Sequence, residues 1–282
     1  MSDFAIITDS LASIPEHLLK KYGIEIALQV LIWGEETLLD GVDITAQQFY
    51  ERLATTDVMP TTSQASAGTF VKLFEPHVAK GKAILAILVS DALSGTIQSA
   101  QTAKANFPDA VIEIVDSKAV SMAQGYQVLA AARAADDGKP FSDVVKLARS
   151  ASENVGVLFV VDTLEFLHRG GRIGGAKKLL GTALSLKPVL QLGDGRVEPL
   201  ENVRTKTKAK ARILDLVEER LAGKDKIRIS ALHANAEGEA QALLEAMQQR
   251  VEVVESHMTL VSPVIGTHAG PGTVGMAYSF GL

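Results

Sequence analysis

The chain has 282 residues and no cysteine, which excludes disulfides, a thiolate nucleophile and any cysteine-ligated metal. Aromatics are scarce too, with one Trp, four Tyr and nine Phe, 5% in all. Nucleic-acid binding by base stacking therefore has little to work with. No run approaches the ~20 apolar residues of a membrane span, so stable membrane insertion is not expected. The opening MSDFAIITDS is acidic where a secretory signal would be basic, and its apolar run is short, so a cytoplasmic location is the expectation. No G-x-G-x-x-G follows the first apolar run and no G-x-x-x-x-G-K-[ST] occurs anywhere, which removes the usual cradle for nucleotide phosphates; no cofactor is expected. The histidines His17, His77, His168, His233, His257 and His268 show no metal-ligand spacing, and no metal is expected.

What is present is an ordinary globular composition, 47% hydrophobic and 22% charged with a formal charge of -5. The length suggests roughly two domains. Short apolar runs alternate with helical patterns: Phe4–Ile7 then Pro15–Tyr22, Ala83–Val89 then Gly95–Ala105, Val111–Val115 then Ala119–Ala135. This alternation implies crossover connections, a parallel sheet and a Rossmann-like order of strands and helices. Ser13 is a candidate cap for the first helix. Ile24–Trp33 and Glu35–Leu39 read as a hairpin about Gly34, followed by a helix over Ala46–Ala54. Thr55–Ser66 reads as a polar loop.

A second block follows the helix Ser142–Ser152 and begins at GVLFVVD. The expected division is an N-terminal α/β domain over 1–155 and a C-terminal α/β domain over 156–282. Strands are expected at Pro188–Leu192, Arg196–Val203, Ile227–Leu232, Val251–Val254 and Thr273–Phe280, with helices over Lys206–Leu221 and Glu237–Arg250. The GDGR turn at 193–196 joins two strands as a hairpin, so this sheet is mixed and partly antiparallel.

Small polar residues recur where strands end: Thr8-Asp9-Ser10, Ser90 to Thr96, Asp116-Ser117, and Gly266-Thr267-His268 in the segment GTHAGPGT. With Thr61-Thr62-Ser63 they outline a ring of hydroxyls at the carboxyl edge of an α/β sheet, where ligands bind. Hydroxyls and helix N-termini donate hydrogen bonds, and a histidine adds a donor or a charge, so a carboxylate or a single phosphate suits the ring. Each such turn is also explained by helix capping alone. Charge is uneven: Glu165 to Arg212 holds eleven Lys/Arg against four Asp/Glu. That stripe reads as a solvated helix face or as a surface for phosphate or a protein partner.

Five motifs in order, TTSQAS (61–66), LSGTIQSA (93–100), FLHRGGRI (166–173), KPVL (187–190) and IGTHAGPG (265–272), with ITDS (7–10) as the opening, resemble the DegV family over essentially the whole chain. The resemblance implies two α/β domains with an acyl chain between or beneath them. It further implies a non-catalytic protein similar to the acyl-binding subunit of bacterial fatty acid kinase. Such a protein encloses a long-chain fatty acid such as palmitate or oleate and presents the carboxylate to a separate ATP-dependent kinase, which forms the acyl phosphate. Carried over by position, Thr62 and Ser94 hold the carboxylate with His268 close by. Ser63, Gly95, Thr96 and Thr267 support the loops, and Arg172 and Arg204 match basic positions linked to kinase engagement or the transferred phosphate. Ala65 stands where many members have proline, and Asp91 where a second serine is common.

Two other readings compete. A serine hydrolase would use Ser94, His268 and Asp9 or Asp116, but Ala92 and Thr96 occupy the positions where a nucleophile elbow has glycines. A kinase or phosphatase acting on a small polyol would need a nucleotide motif or metal cluster that the chain lacks.

Overall fold

Every residue of the first strand is buried, Phe4 and Ile6 packing to one side of a sheet and Ala5 and Ile7 to the other. The structure, a computed structural model, describes residues 4–180 and 186–282. The first three residues of the expected N-terminal domain and 181–185 of the basic stretch lie outside the described residues. In chain order the first half runs β1 (Phe4–Asp9), α1 (Glu16–Tyr22), β2 (Glu25–Ala27), β3 (Val30–Trp33), β4 (Glu36–Leu39), α2 (Ala46–Leu53), β5 (Thr61–Ser63), α3 (Ala67–Val78), β6 (Ala83–Leu88), α4 (Thr96–Lys104), β7 (Ile112–Asp116), α5 (Met122–Asp136) and α6 (Phe141–Ser150). The second half runs β8 (Val155–Val160), α7 (Glu165–Arg169), β9 (Lys187–Gly193), β10 (Arg196–Val203), α8 (Lys206–Leu221), β11 (Arg228–His233), α9 (Glu237–Gln248), β12 (Glu255–Leu260), α10 (Pro263–Ala269) and β13 (Val274–Ser279).

The result is a two-domain α/β fold. In the first domain β2-β1-β6-β7 form a parallel sheet. Helices cover both of its faces, with Phe70 and Phe74 of α3 on one side and Tyr126 and Leu129 of α5 on the other, which is why β6 is apolar along its whole length. In the second domain the order is β10-β9-β8-β13-β11-β12, antiparallel except between β11 and β12. Helices α8 and α9 cover one face of this sheet. Helix α5 is sandwiched between the domains, against β1 and β6 on one side and β8 and β13 on the other. Its residues from Met122 to Ala132 are all buried, as expected of a helix with no solvent face.

Several expectations are corrected. Ser13 does not cap α1; it sits at φ 54° after a short 3-10 helix over Ser10–Ala12, and Pro15 precedes the first turn. Ile24–Trp33 is not one strand. It divides at Leu28-Gln29, so that β2 joins the parallel sheet while β3 pairs with β4 in the Gly34 hairpin. The Thr55–Ser66 loop contains β5, which completes a small sheet of order β4-β3-β5. The strand expected at Val251–Val254 lies at Glu255–Leu260 instead. Val254 is 62% exposed, whereas Glu255 is held by Arg133 and Arg228 at the start of the β11 pairing.

Candidate functional site

Thr62 reaches the site through strand alternation. In β5, Thr61 and Ser63 face solvent while Thr62 turns inward opposite Leu31 of β3. His268 reaches it from α10, so the GTHAGPGT segment starts as the last turn of a helix rather than as a turn after a strand. Ser262 caps that helix by accepting from the Ile265 amide, and Pro263 occupies its first turn. Asp40 anchors the same end by accepting from the Val264 amide at 3.2 Å. Gly266 lets α10 approach α2, since a Cβ there would meet Tyr50 Oη at 2.6 Å.

These placements bring Thr62 Oγ1 within 2.8 Å of His268 Nε2. The other ring nitrogen, Nδ1, is buried without a partner among the described residues, and Gly170 lies so close that a Cβ would come within 2.1 Å of it. Burial, with a smaller contribution from the Arg172 charge, pulls the imidazole down to about pKa 4, so it is neutral at physiological pH. Protonation on Nε2 avoids stranding an N–H at the unpartnered position. Thr62 then accepts from His268, and its own hydroxyl hydrogen is free for a ligand.

Ser94 is set up the same way by a different chain of bonds. The Ala65 amide donates to Gln29 Oε1 at 2.9 Å, which fixes the orientation of a buried side-chain amide. Gln29 Nε2 therefore donates to Thr96 Oγ1 at 3.0 Å. Thr96 is fully buried, and the acceptor within reach of its single hydrogen is Ser94 Oγ at 2.8 Å, so with Gln29 donating to its oxygen we orient that hydrogen toward Ser94. The Ser94 hydroxyl is left as a donor. A residue without an amide hydrogen at 65, such as proline, could not anchor this direction.

Thr62 and Ser94 line one crevice between the domains, with about 1000 Å³ of atom-free space counted out to its open mouth. Most of the wall is apolar and includes Leu11, Val120, Val157, Phe159, Leu192 and Val261. Arg172 lines it as well. Its Nε donates to Leu93 O at 3.0 Å and its Nη1 to Gly170 O at 2.7 Å, so one guanidinium ties the Ser94 turn to the backbone beside His268. The Gly170-Gly171 turn thus directs Arg172 inward.

Other expected residues are distributed around this core. Ser63 is an exposed rim residue of the crevice. Thr96 is buried behind Ser94, and Gly95 lies against the Gln64 side chain. Thr267 donates to Pro263 O within α10, away from the crevice. Arg204 is exposed after β10 and does not line it. The full hydroxyl ring does not form. Thr8 and Asp9 are spent internally, Thr8 on Ile87 O and Asp9 on the amides of Val89 and Leu11, while Asp116 accepts from Asp91 and Lys118 amides. With its hydroxyl bonded to Thr96 and no acid on His268 Nδ1, Ser94 lacks the base-and-orienter geometry of a hydrolase. Part of the basic stripe is paired, Arg169 with Glu165, Lys206 with Asp162 and Glu239, Lys210 with Glu239, and Arg212 with Glu201 and Asp215.

Gln29, Ser121 and Thr273 also line the crevice, and the sequence reading misses them. Ser121 sits at φ 55°, bonded through its amide to Leu11 O, a strained conformation of the kind that gathers at binding sites.

A parallel sheet joined to a mixed sheet, with a largely apolar crevice between them that two hydroxyls line, defines a two-domain α/β protein with an amphipathic crevice. The chain belongs to the DegV family: the model described as "Uncharacterised protein, DegV family" matches residues 3–280. The DegV domain-containing protein CPE0304 of Clostridium perfringens is 38% identical over 279 residues, covering 97% of this chain and 98% of that protein. Among solved structures, the fold is similar to a DegV family protein from Thermus thermophilus described for its fatty acid binding, with TM-score 0.93 and 33% identity over 99% of this chain and all of that one. It is equally similar to DegV of Bacillus subtilis, described as a fatty acid binding protein, with TM-score 0.92 and 32% identity at the same coverage.

Proposed function

We propose that this chain binds a long-chain fatty acid such as palmitate or oleate, encloses its acyl chain, and holds the carboxylate at Thr62 and Ser94 for a separate ATP-dependent kinase to phosphorylate. The observation that carries the reading is the pair of hydroxyls, each turned into a donor by its own bond chain, in an otherwise apolar crevice. The fatty acids bound by the similar structures support it. Burying a sixteen-carbon chain at ~0.8 kcal/mol per methylene supplies on the order of 10 kcal/mol before ordering costs. A hydroxyl bond to a charged group adds only about 1.5–3 kcal/mol. The chain therefore supplies affinity, and Thr62 and Ser94 determine which end faces out.

Arg172 serves the carboxylate end by bracing both donor-bearing segments, and its positive charge suits the carboxylate and the transferred phosphate. Arg204, on the exposed surface, is proposed to engage the kinase. The direct experiment is lipid extraction from denatured, purified protein with mass-spectrometric identification, expected to yield near-stoichiometric long-chain fatty acid. No extracted lipid and no binding of added palmitate would defeat the reading. For presentation, fatty-acid-loaded protein is mixed with a fatty acid kinase catalytic subunit and ATP. The change Arg204→Ala is expected to leave fatty-acid affinity unchanged and to lower acyl-phosphate formation about tenfold, or 1.4 kcal/mol; unchanged acyl-phosphate formation removes Arg204 from the interaction.

A further inference from the structure

Side chains alternate along β8, so Val155, Val157 and Phe159 project from the same face. Phe159 and Val157 line the crevice, while Val157 and Val155 line a second cavity beneath the hairpin turn of β9 and β10. Leu192 also borders both cavities. The β8–β9 register, Leu158 with Gln191 and Phe159 with Leu190, places it opposite Val157. The two spaces thus meet back to back across one cross-strand pair of side chains.

The carboxylate end lies in the other direction. Phe159 pairs with Gly275, and Thr273, two residues earlier on the crevice wall, donates to Ala269 O next to His268. Moving along β8 from Phe159 to Val157 is therefore movement away from Thr62 and His268. Beyond Val157 the surroundings turn polar, with Ser117, Lys118, Glu153 and Asp194 around the second cavity. Lys118 and Asp194 pair at 3.1 Å, and Ser90 Oγ donates to Gly195 O at 2.8 Å, so the turn above it is pinned to the first domain.

Resting on the fatty-acid reading above, we propose that Val157 and Leu192 form the stop that sets acyl-chain length, and that the polar cavity behind them is a subsite for the far end of a chain bearing a hydroxyl. A terminal methyl gains by packing on the two side chains and gains nothing by passing them, because the next space is lined by groups that hold water better than methylenes. A terminal hydroxyl finds hydrogen-bonding partners there.

The test measures binding of saturated acids from laurate to arachidate, and of ω-hydroxypalmitate, to the wild type and to Leu192→Ala and Leu192→Phe. In the wild type, affinity rises about fourfold per added carbon up to a maximum and then stops rising. Leu192→Ala removes three side-chain carbons, so the maximum moves about two or three carbons longer, and ω-hydroxypalmitate gains on palmitate. Leu192→Phe moves the maximum to shorter acids. Val157→Ala repeats the first change from the opposite strand, should a Leu192 variant fail to fold. Wild type and variants that all bind with the same length maximum overturn the stop while leaving the fatty-acid reading standing. A wild type that binds none of the acids overturns that reading, and the stop with it.

Discussion

Thr62 and His268 are 206 residues apart in sequence, yet their side chains meet at 2.8 Å across the boundary between a three-residue strand and the last turn of a helix. The contact exists because β5 adds to β3 and because Gly170 leaves room behind the imidazole ring. It converts a threonine of either hydrogen-bonding sense into a donor.

Gly170 is therefore expected to tolerate no side chain, for a purely steric reason. Its φ is -73°, which any residue adopts, but a Cβ would come within 2.1 Å of His268 Nδ1. Gly170→Ala should weaken palmitate binding about tenfold, roughly 1.4 kcal/mol of lost donor geometry. In a His268→Ala background the same change should cost much less. Calorimetry on the four proteins of this cycle checks it, and additive losses would mean that the two positions act independently.

The bond chain from Ala65 to Ser94 has a direction, and Gln29→Glu should reverse it. An ionised carboxylate at position 29 would accept from both the Ala65 amide and Thr96, turning the Thr96 hydrogen away from Ser94. Ser94 then donates inward to Thr96 and is lost to the ligand. Burial and the neighbouring Asp9 push the new carboxyl up, so acid binding is expected to fall about tenfold, by about 1.4 kcal/mol, at alkaline pH where it is ionised, and to recover relative to the wild type as pH drops and it protonates. A variant that tracks the wild type at every pH would show that the direction of this chain does not matter.

Two buried groups give stability opposite pH slopes. His268 titrates near 4 folded against 6.5 ordinarily, so between those values the unfolded chain binds the extra proton and stability falls as pH falls. Asp9 is pushed up to about 6 from 3.8 by burial, against hydrogen bonds from Val89, Leu11, Gln124 and Gln29. Between 3.8 and 6 the folded chain holds the extra proton, and stability falls as pH rises. The stability of His268→Gln relative to wild type should increase steadily from pH 6.5 down to 4, read from urea midpoints; parallel curves would contradict the buried neutral imidazole.

Much of this was legible in the chain because local signals and tertiary structure agree. The runs around β6, β10 and α8 are apolar or amphipathic with clear ends, and the structure places them within a residue or so of expectation. The failures share a cause. Strand β12, ESHMTL, carries polar residues because it is an edge strand whose Glu255 is satisfied by arginines from β11 and α5, and Val251, Val253 and Val254 just before it look more strand-like. Strand β5 is three hydroxyl residues made into a strand only by the hairpin beside it. Helix α10 carries a start signal in Ser262-Pro263, its cap and first turn, which the sequence reading passes over because the glycine-framed segment GTHAGPGT reads as a turn. The structure places Thr62, Ser94 and His268, each named from its motif, along one crevice. Gln29 is not named from the sequence, since a glutamine between two strands has no local signature and its role comes from a threonine 67 residues away.

The central claim is that Thr62 and Ser94 read a carboxylate at one end of an apolar chain. Comparing palmitate with methyl palmitate by calorimetry, on the wild type and on a Thr62→Val/Ser94→Ala double variant, tests it most directly. The wild type should bind the acid at least about tenfold more tightly than the ester, a difference of about 1.4 kcal/mol, and the double variant should bind both alike at the weaker level. Equal binding of acid and ester by the wild type, or a preference for the acid that survives in the double variant, would contradict the account.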